Sequence, residues 1–317
     1  MLKLFVIEDG LLREMPGEQD QVQRLLAQAD WIDALEPDEH ERVLLQSLLH
    51  TDVPESDDVA EIETSARCFV DQSGIHVHSL FLSQSEGRHS TVSVACILQE
   101  KRLITIREGD LPDFRLLRMR TRRGLLECSS PADLLVTLFE QKVENHADTL
   151  EDIHRQLEAV SHMVLEDEDA ELEDAISKLA ELEDSNGKIR LCLMDTQRDI
   201  SFLLRHLRNI HDQVETLREI MRDVDTLMSH TTFLFDKINF LMDSTQGFIN
   251  IEQNQIIKIF SIAAVVFLPP TLVASIYGMN FEAMPELKWL LGYPWALGLM
   301  ILSGFAPYWY FKRKGWL

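Results

Sequence analysis

The chain has 317 residues, enough for about two domains. It carries 53 acidic against 30 basic side chains, a net charge of −23, which excludes a nucleic-acid partner because that would need basic stripes. The charge is uneven: residues 251–317 hold three acids and five bases, net +2, so an acidic body of −25 precedes a near-neutral apolar tail.

The N-terminus "MLKLFVIEDG" has an acid at Glu8 and no long apolar run, so it is not a signal peptide. Cys68, Cys96, Cys128 and Cys192 are scattered without a C-x-x-C pair, which indicates buried thiols rather than a zinc ribbon or a disulfide framework. In residues 1–130 the segments "KLFVIED", "ADWIDAL", "GIHVHSLFLS", "STVSVACILQ" and "RLITIRE" are rich in Val, Ile and Phe and predict short strands. "PDEHERVLLQSLL" predicts a helix with Pro37 near its start. The region is expected to be an α/β cytoplasmic domain.

After Pro131 the pattern becomes helical, with no proline until Pro269. Breaks are expected near the acid run at residues 166–169 and near residues 208–212. This gives long acidic cytoplasmic helices over 131–211 and a stalk helix over 212–255 that runs straight into the apolar tail. Residues 151–184 hold 13 acids against two bases, which fits either a solvated helical face or a cation-sensing surface. His76, His78, His146 and His154 have no second ligand at metal spacing and are expected to be satisfied or solvent-facing.

Residues 259–276 and 289–311 are runs of 18 and 23 residues without a charge. About 20 apolar residues cross the hydrocarbon core of a bilayer, so two transmembrane helices are expected, over 256–277 and 289–311. Tyr277, Trp289, Tyr293, Trp295, Tyr308, Trp309 and Tyr310 cluster near the run ends, as interfacial aromatics do. Lys312, Arg313 and Lys314 follow the second run in the tail 312–317. The positive-inside bias therefore places both termini in the cytoplasm, with residues 278–288 as an external loop.

Steps of three and four along the first run meet Asp243, Gly247, Asn250, Asn254, Ile257, Ser261, Ala264, Leu268, Thr271 and Ser275, one face at a period of about 3.5. Within the membrane this face is small or hydroxylated except at Leu268. Helix–helix packing by small residues gives such a stripe, and so does a water-filled pore. The carboxylate and two carboxamides at its aqueous end favour the pore. One helix cannot enclose a channel, so several copies would arrange these groups in rings. Pro269 and Pro270 are expected to interrupt the span and free the carbonyls of Val265 and Val266. At the outer end, Asn280 offers a neutral amide that can hold a hydrated cation through its waters, Gly278 permits a backbone that a Cβ would resist, and Glu282 and Glu286 attract cations nearby.

"YGMN" at 277–280, "MPEL" at 284–287 and the ending "YFKRKGWL" resemble the CorA family of magnesium transporters. "FINIEQNQIIKIFSIAAVVFLPPTLVASIYGMNFE", "LEDSNGKIRLCLMDTQR" and "AEIETSARCF" extend the resemblance, to the bacterial magnesium/cobalt members, over essentially the full chain. It implies a funnel-shaped homopentamer in the cell inner membrane, with the first span lining the pore and the second forming an outer ring. It implies a selectivity filter at Gly278, Met279 and Asn280. It implies an acidic ring at Asp243, a polar ring at Asn254, constrictions at Ile257 and Leu268, and a pore hydroxyl at Thr271. A divalent-sensing site between neighbouring cytoplasmic domains is implied too, with Asp223 or Glu219 as its stalk ligand. Mg²⁺ is then both transported and regulatory ion, with Co²⁺ and Ni²⁺ as further substrates and no cofactor.

Two other functions stand beside a gated Mg²⁺ channel. Zinc-transporting relatives share Gly-Met-Asn, although the "MPEL" loop favours magnesium. A membrane-anchored scaffold could sense cations without passing them, although it would not need the hydroxyl and amide stripe. No activated nucleophile, Gly-rich phosphate loop or catalytic metal cluster points to an enzyme.

Overall fold

The computed structural model describes residues 1–15, 22–49, 67–85, 87–166, 171–207, 211–280 and 284–315. The first compact unit, Met1–Met242, is built on a seven-stranded sheet in the order β2-β1-β3-β7-β6-β5-β4. The strands are β1 (Leu2–Glu8), β2 (Leu11–Glu14), β3 (Trp31–Leu35), β4 (Cys68–Val70), β5 (Ile75–Ser85), β6 (Arg88–Leu98) and β7 (Leu103–Arg107). Neighbours run antiparallel except β3 and β7, whose parallel register pairs Asp33 with Thr105.

Side chains alternate across the pleat, so each strand supplies both faces of the sheet. On β3, Trp31 joins a large core with Phe5, Phe81, Phe114 and Phe139, while Ile32 and Ala34 join a smaller one with Leu45, Leu49, Ile97 and Ile104. The smaller core is covered by α1 (Val22–Gln28) and α2 (Glu39–Leu49). Asp38 and Glu41 cap α2 reciprocally: Asp38 Oδ1 accepts the Glu41 amide at 2.8 Å and Glu41 Oε2 accepts the Asp38 amide at 3.1 Å.

The larger core is covered by α3 (Pro112–Arg122), α4 (Pro131–Glu166) and α5 (Leu172–His206). In α4, Pro131 takes the first helical position, where its missing N–H costs nothing. Ser130 Oγ accepts the Asp133 amide at 3.2 Å, and Asp133 Oδ2 accepts the Ser129 amide at 2.9 Å. A buried polar chain ties α4 and α5 to the sheet. The ammonium of Lys142 donates to Ser79 Oγ at 2.7 Å, and Ser79 donates in turn to Asp199.

The turn between β4 and β5 accounts for His76. Asp71 Oδ1 accepts the Ser73 amide at 2.7 Å and the Gly74 amide at 3.2 Å, and lies 3.0 Å from His76 Nε2. Gly74 has φ +142°, and a Cβ there would stand 2.3 Å from the Leu98 carbonyl oxygen. Contrary to the expectation of satisfied or solvent-facing rings, His78 and His146 are buried with neither ring nitrogen hydrogen-bonded among the described residues, held in apolar packing as neutral imidazoles. Among the described residues no three His, Cys, Asp or Glu side chains form a group that could hold a metal ion. The four cysteines are free; Cys96, Cys128 and Cys192 are buried and Cys68 is half-buried.

The third long helix, α6 (His211–Tyr277), has 67 residues. Within the first unit α5 holds it through Asn186 Nδ2 to the Thr231 carbonyl at 3.0 Å, Arg190 to Thr232 Oγ1 at 2.8 Å, and Gln197 to Asp225 at 2.8 Å. The second unit, Asp243–Leu317, holds the rest of α6, a 3₁₀ turn at Pro285–Lys288 and α7 (Gly292–Arg313). Contrary to the expected interruption, α6 remains one helix through Pro269 and Pro270. Each proline removes one intrahelical bond, to Val265 or Val266, and the turns on either side keep the helix going. Among the described residues, α6 is the one helix long and apolar enough to cross a membrane.

Candidate functional site

The ten stripe positions, from Asp243 to Ser275, all lie on α6 in the second unit and all are exposed. Ile257 is 61% and Leu268 65% exposed, the opposite of what isolated apolar side chains seek in water. The other side of the helix differs. Ile262 is buried, and Val266, Pro269, Pro270, Val273 and Tyr277 are half-buried. At about 100° per residue, this covered face lies roughly opposite the stripe.

Helix α7 approaches the covered face at Gly304. Gly292 and Ala296 are buried and Ser303, Gly304 and Pro307 half-buried along one side of α7. A Cβ on Gly304 would stand 3.1 Å from Pro270 Cγ and 3.5 Å from the Val266 carbonyl oxygen. The second apolar helix therefore leaves the stripe open. On the stripe itself, Thr271 Oγ1 donates to the Phe267 carbonyl at 2.7 Å, so its hydroxyl keeps lone pairs for a further partner.

At the end of α6, the Gly278 amide donates to the Ala274 carbonyl at 2.9 Å and the Met279 amide to that of Ile276 at 3.3 Å. A Cβ on Gly278 would stand 3.1 Å from the Ala274 oxygen, so glycine suits this position through close approach to the last turn. Met279 and Asn280 follow, both exposed. Glu282 lies outside the described residues, as does the side chain of Glu286. Lys312 and Arg313 occupy the last turn of α7, where the helix dipole favours cations, and Lys314 caps it through its amide to Tyr310. The Arg313 guanidinium stands 5.5 Å from the centre of the Trp309 ring.

Glu219 and Asp223 are exposed, one turn apart on the first-unit part of α6. A residue that sequence reasoning missed feels their charge: Glu140 on α4. Burial first, and then the charges of Glu144, Glu219 and Asp223, push its carboxyl above the usual range against the pull of Arg120. Arg120 Nη2 lies 3.8 Å from Glu144. The folded chain thus brings acids of α4 and α6 together, a juxtaposition that depends on tertiary packing and leaves no local spacing signal. Of the acid run at 166–169, Glu166 is described and the other three lie outside the described residues.

The chain is 50% identical over 319 residues to "Magnesium transport protein CorA" of Escherichia coli (strain K12). It is also 50% identical to the protein of the same name of Salmonella typhimurium (strain LT2). Each alignment covers 100% of both chains. Among solved structures it is similar to "The complete structure of CorA magnesium transporter from Methanocaldococcus jannaschii", with a TM-score of 0.76 at 18% identity over 100% of this chain and 99% of that one. The family profile described as "CorA-like Mg2+ transporter protein" matches residues 27–313. On the profile match and the full-length identity together, the chain belongs to the CorA family of Mg²⁺ transporters.

Proposed function

We propose that the chain is the protomer of a gated homopentameric channel that admits Mg²⁺, and secondarily Co²⁺ and Ni²⁺, across the cell inner membrane. The observation that carries this reading is the arrangement of α6: its small and polar stripe is uncovered, while α7 takes the opposite face. The hydroxyls of Ser261, Thr271 and Ser275 gain nothing against lipid and are useful against water, and the amides and carboxylate continue the same face at its aqueous end. Half-identity over full length to proteins named for magnesium transport supports the ion.

In this reading α6 crosses the membrane at 256–277 and lines the pore, and α7 crosses back in an outer ring at 289–311. Both termini are cytoplasmic and residues 278–288 face outward. Five Asn280 amides hold the ion through its own waters. Mg²⁺ dehydrates reluctantly, so a neutral ring can select it without binding too tightly to release it. Gly278 and Met279 shape that ring, and Glu282 and Glu286 raise the local cation concentration. Ile257 and Leu268 close the path by excluding water, Thr271 hydrates it, and Asp243, Gly247, Asn250 and Asn254 receive the ion at the cytoplasmic end. Internal Mg²⁺ between neighbouring bodies, at Asp223 or Glu219 with Glu140 close by, holds the ring closed. The ion is cargo and regulator, and the function needs no catalytic residue. Zinc is the competing cargo.

Thiol accessibility tests the pore. Single cysteines at Asn254, Ser261 and Ser275 should react with a charged, membrane-impermeant thiol reagent, and Mg²⁺ should slow them. Cysteines at Ile262 and Val273 should stay unreactive. Equal reactivity on the two faces overturns the pore assignment.

A further inference from the structure

Gly304 lies on α7, outside the stripe and the filter. It faces the weakest stretch of α6. Pro269 and Pro270 lack the N–H groups that would bond the carbonyls of Val265 and Val266, so two successive rungs of the helix ladder are missing there. A lateral push on α6 is taken up at such a stretch before it bends intact turns. Pro270 lies on the covered face. Leu268 and Thr271, its near neighbours in sequence, lie on the stripe.

The gap at this point is narrow. A Cβ on Gly304 would stand 3.1 Å from Pro270 Cγ, whereas carbon atoms at optimal contact lie about 3.5–4.0 Å apart. The atom it would meet belongs to a closed ring, which cannot swing aside as a long side chain can. The two helices must instead part by a few tenths of an ångström. Gly298, also on α7, differs: a Cβ there would meet nothing within 4 Å.

We propose that Gly304 is a positioning residue for the gate: its missing side chain lets the Pro269–Pro270 segment sit back against α7, which holds Leu268 and Thr271 away from the pore axis. The direction follows from the geometry, because a push on the covered face moves the stripe toward the opposite side. This rests on the pore reading above. Its content is that α7 sets the width of the path through one glycine–proline contact.

The experiment is a double-mutant cycle in the full-length protein reconstituted in liposomes, read by Mg²⁺ influx and by the internal Mg²⁺ that halves it. Gly304→Ala should lower influx at least threefold and lower the half-inhibiting Mg²⁺, Gly304→Val should do so more strongly, and Gly298→Ala should do neither. Pro270→Ala removes the ring, so in the Gly304→Ala background it should restore most of the loss, and the two substitutions should be non-additive. If Gly304→Ala fails to assemble, rescue of assembly by Pro270→Ala supports the contact and lack of rescue overturns it. Wild-type liposomes without Mg²⁺ influx sink the pore reading itself. Wild-type influx that Gly304→Ala leaves unchanged, or a strictly additive cycle, overturns this inference alone.

Discussion

Arg107 on β7 grips Asp33 on β3 through two bonds, Nε to Oδ1 at 3.0 Å and Nη2 to Oδ2 at 2.9 Å, with both side chains fully buried. The pair spans the one parallel join of the sheet. Thr105 Oγ1 donates to Asp33 at 3.1 Å and Arg118 adds a second cation at 3.3 Å. Cutting one partner from a buried ion pair leaves an uncompensated charge, which costs about 3–5 kcal/mol. Arg107→Met should therefore destabilise the acidic body by about 3 kcal/mol, the lower end, because Arg118 remains. Asp33→Leu combined with Arg107→Met should be less damaging than the sum of the single changes. Thermal unfolding of the full chain in detergent measures both.

Two buried groups oppose each other in their response to pH. Burial pushes the Asp113 carboxyl on α3 up to about 6, against weaker pulls from its own backbone amide, Lys142 and Asn145. Burial, with the Lys142 charge, pulls the imidazole of His146 on α4 down to about 3. A raised carboxyl costs the folded state stability in full above pH 6, and the cost fades as pH falls from 6 to 3.8, below which it is gone. A lowered imidazole gives stability above pH 6.5 that is lost as pH falls toward 3. Between about pH 4 and 6 the two slopes offset. Asp113→Asn should raise stability at pH 7 by on the order of 2–3 kcal/mol and leave a protein that weakens faster on acidification. His146→Leu should do the reverse and weaken as pH rises from 4 to 6. Melting temperatures across that range check the signs, and parallel curves for wild type and both variants would count against them.

Much of the body is legible in the sequence because segments of five or more residues that carry Val, Ile and aromatic side chains mark β1, β3, β5, β6 and β7. The four residues of β2 and three of β4 carry too little pattern to stand out. Helix α3 hides for another reason. It carries four arginines in 11 residues, and its buried side rests on Phe114, Leu117 and Thr121, too thin a stripe to recognise without the core it covers. The stripe on α6 is legible because helical spacing depends on the local backbone alone. Its partner relationship is not: that α7 meets the opposite face where Gly304 approaches Pro270 depends on which residues meet after folding, and no spacing within either helix encodes that. The nearness of Glu140 to Glu219 and Asp223 is hidden in the same way, since α4 and α6 are neighbours only after folding. The proline pair misleads for a simpler cause, because two missing bonds weaken a helix held by many others without ending it.

Leu268 and Ile257 are the two bulky apolar side chains on the proposed membrane part of the stripe. A hydrophobic constriction closes by expelling water, so Leu268→Ser should raise basal Mg²⁺ influx severalfold and weaken inhibition by internal Mg²⁺. Influx that is unchanged or lower at high internal Mg²⁺ would place the gate elsewhere, with Ile257 next to test.

Feedback rests on charge. In the proposed pentamer a body of −25 is repeated five times around one axis, a self-repulsion that divalent cations between neighbours would relieve. Asp223→Lys replaces a carboxylate by an ammonium and should supply part of the missing positive charge. Limited proteolysis of the membrane-embedded protein across a Mg²⁺ titration should show protection that depends on Mg²⁺ in wild type and much less in Asp223→Lys. Glu140→Gln should weaken the Mg²⁺ response less than Asp223→Lys does in the same assay, because Glu140 reaches Glu219 and Asp223 through its charge alone. Identical titrations for all three proteins would clear this cluster of a sensing role.

The most direct test is ion influx into liposomes holding the purified full-length protein, with Mg²⁺, Co²⁺ and Zn²⁺ compared side by side and Asn280→Ala run beside wild type. Expected is saturable Mg²⁺ influx in wild type, a smaller Co²⁺ influx, little Zn²⁺ influx, and loss of Mg²⁺ influx in Asn280→Ala protein that still assembles. Zn²⁺ influx exceeding that of Mg²⁺, or undiminished Mg²⁺ influx in assembled Asn280→Ala, would contradict a magnesium path selected at that amide.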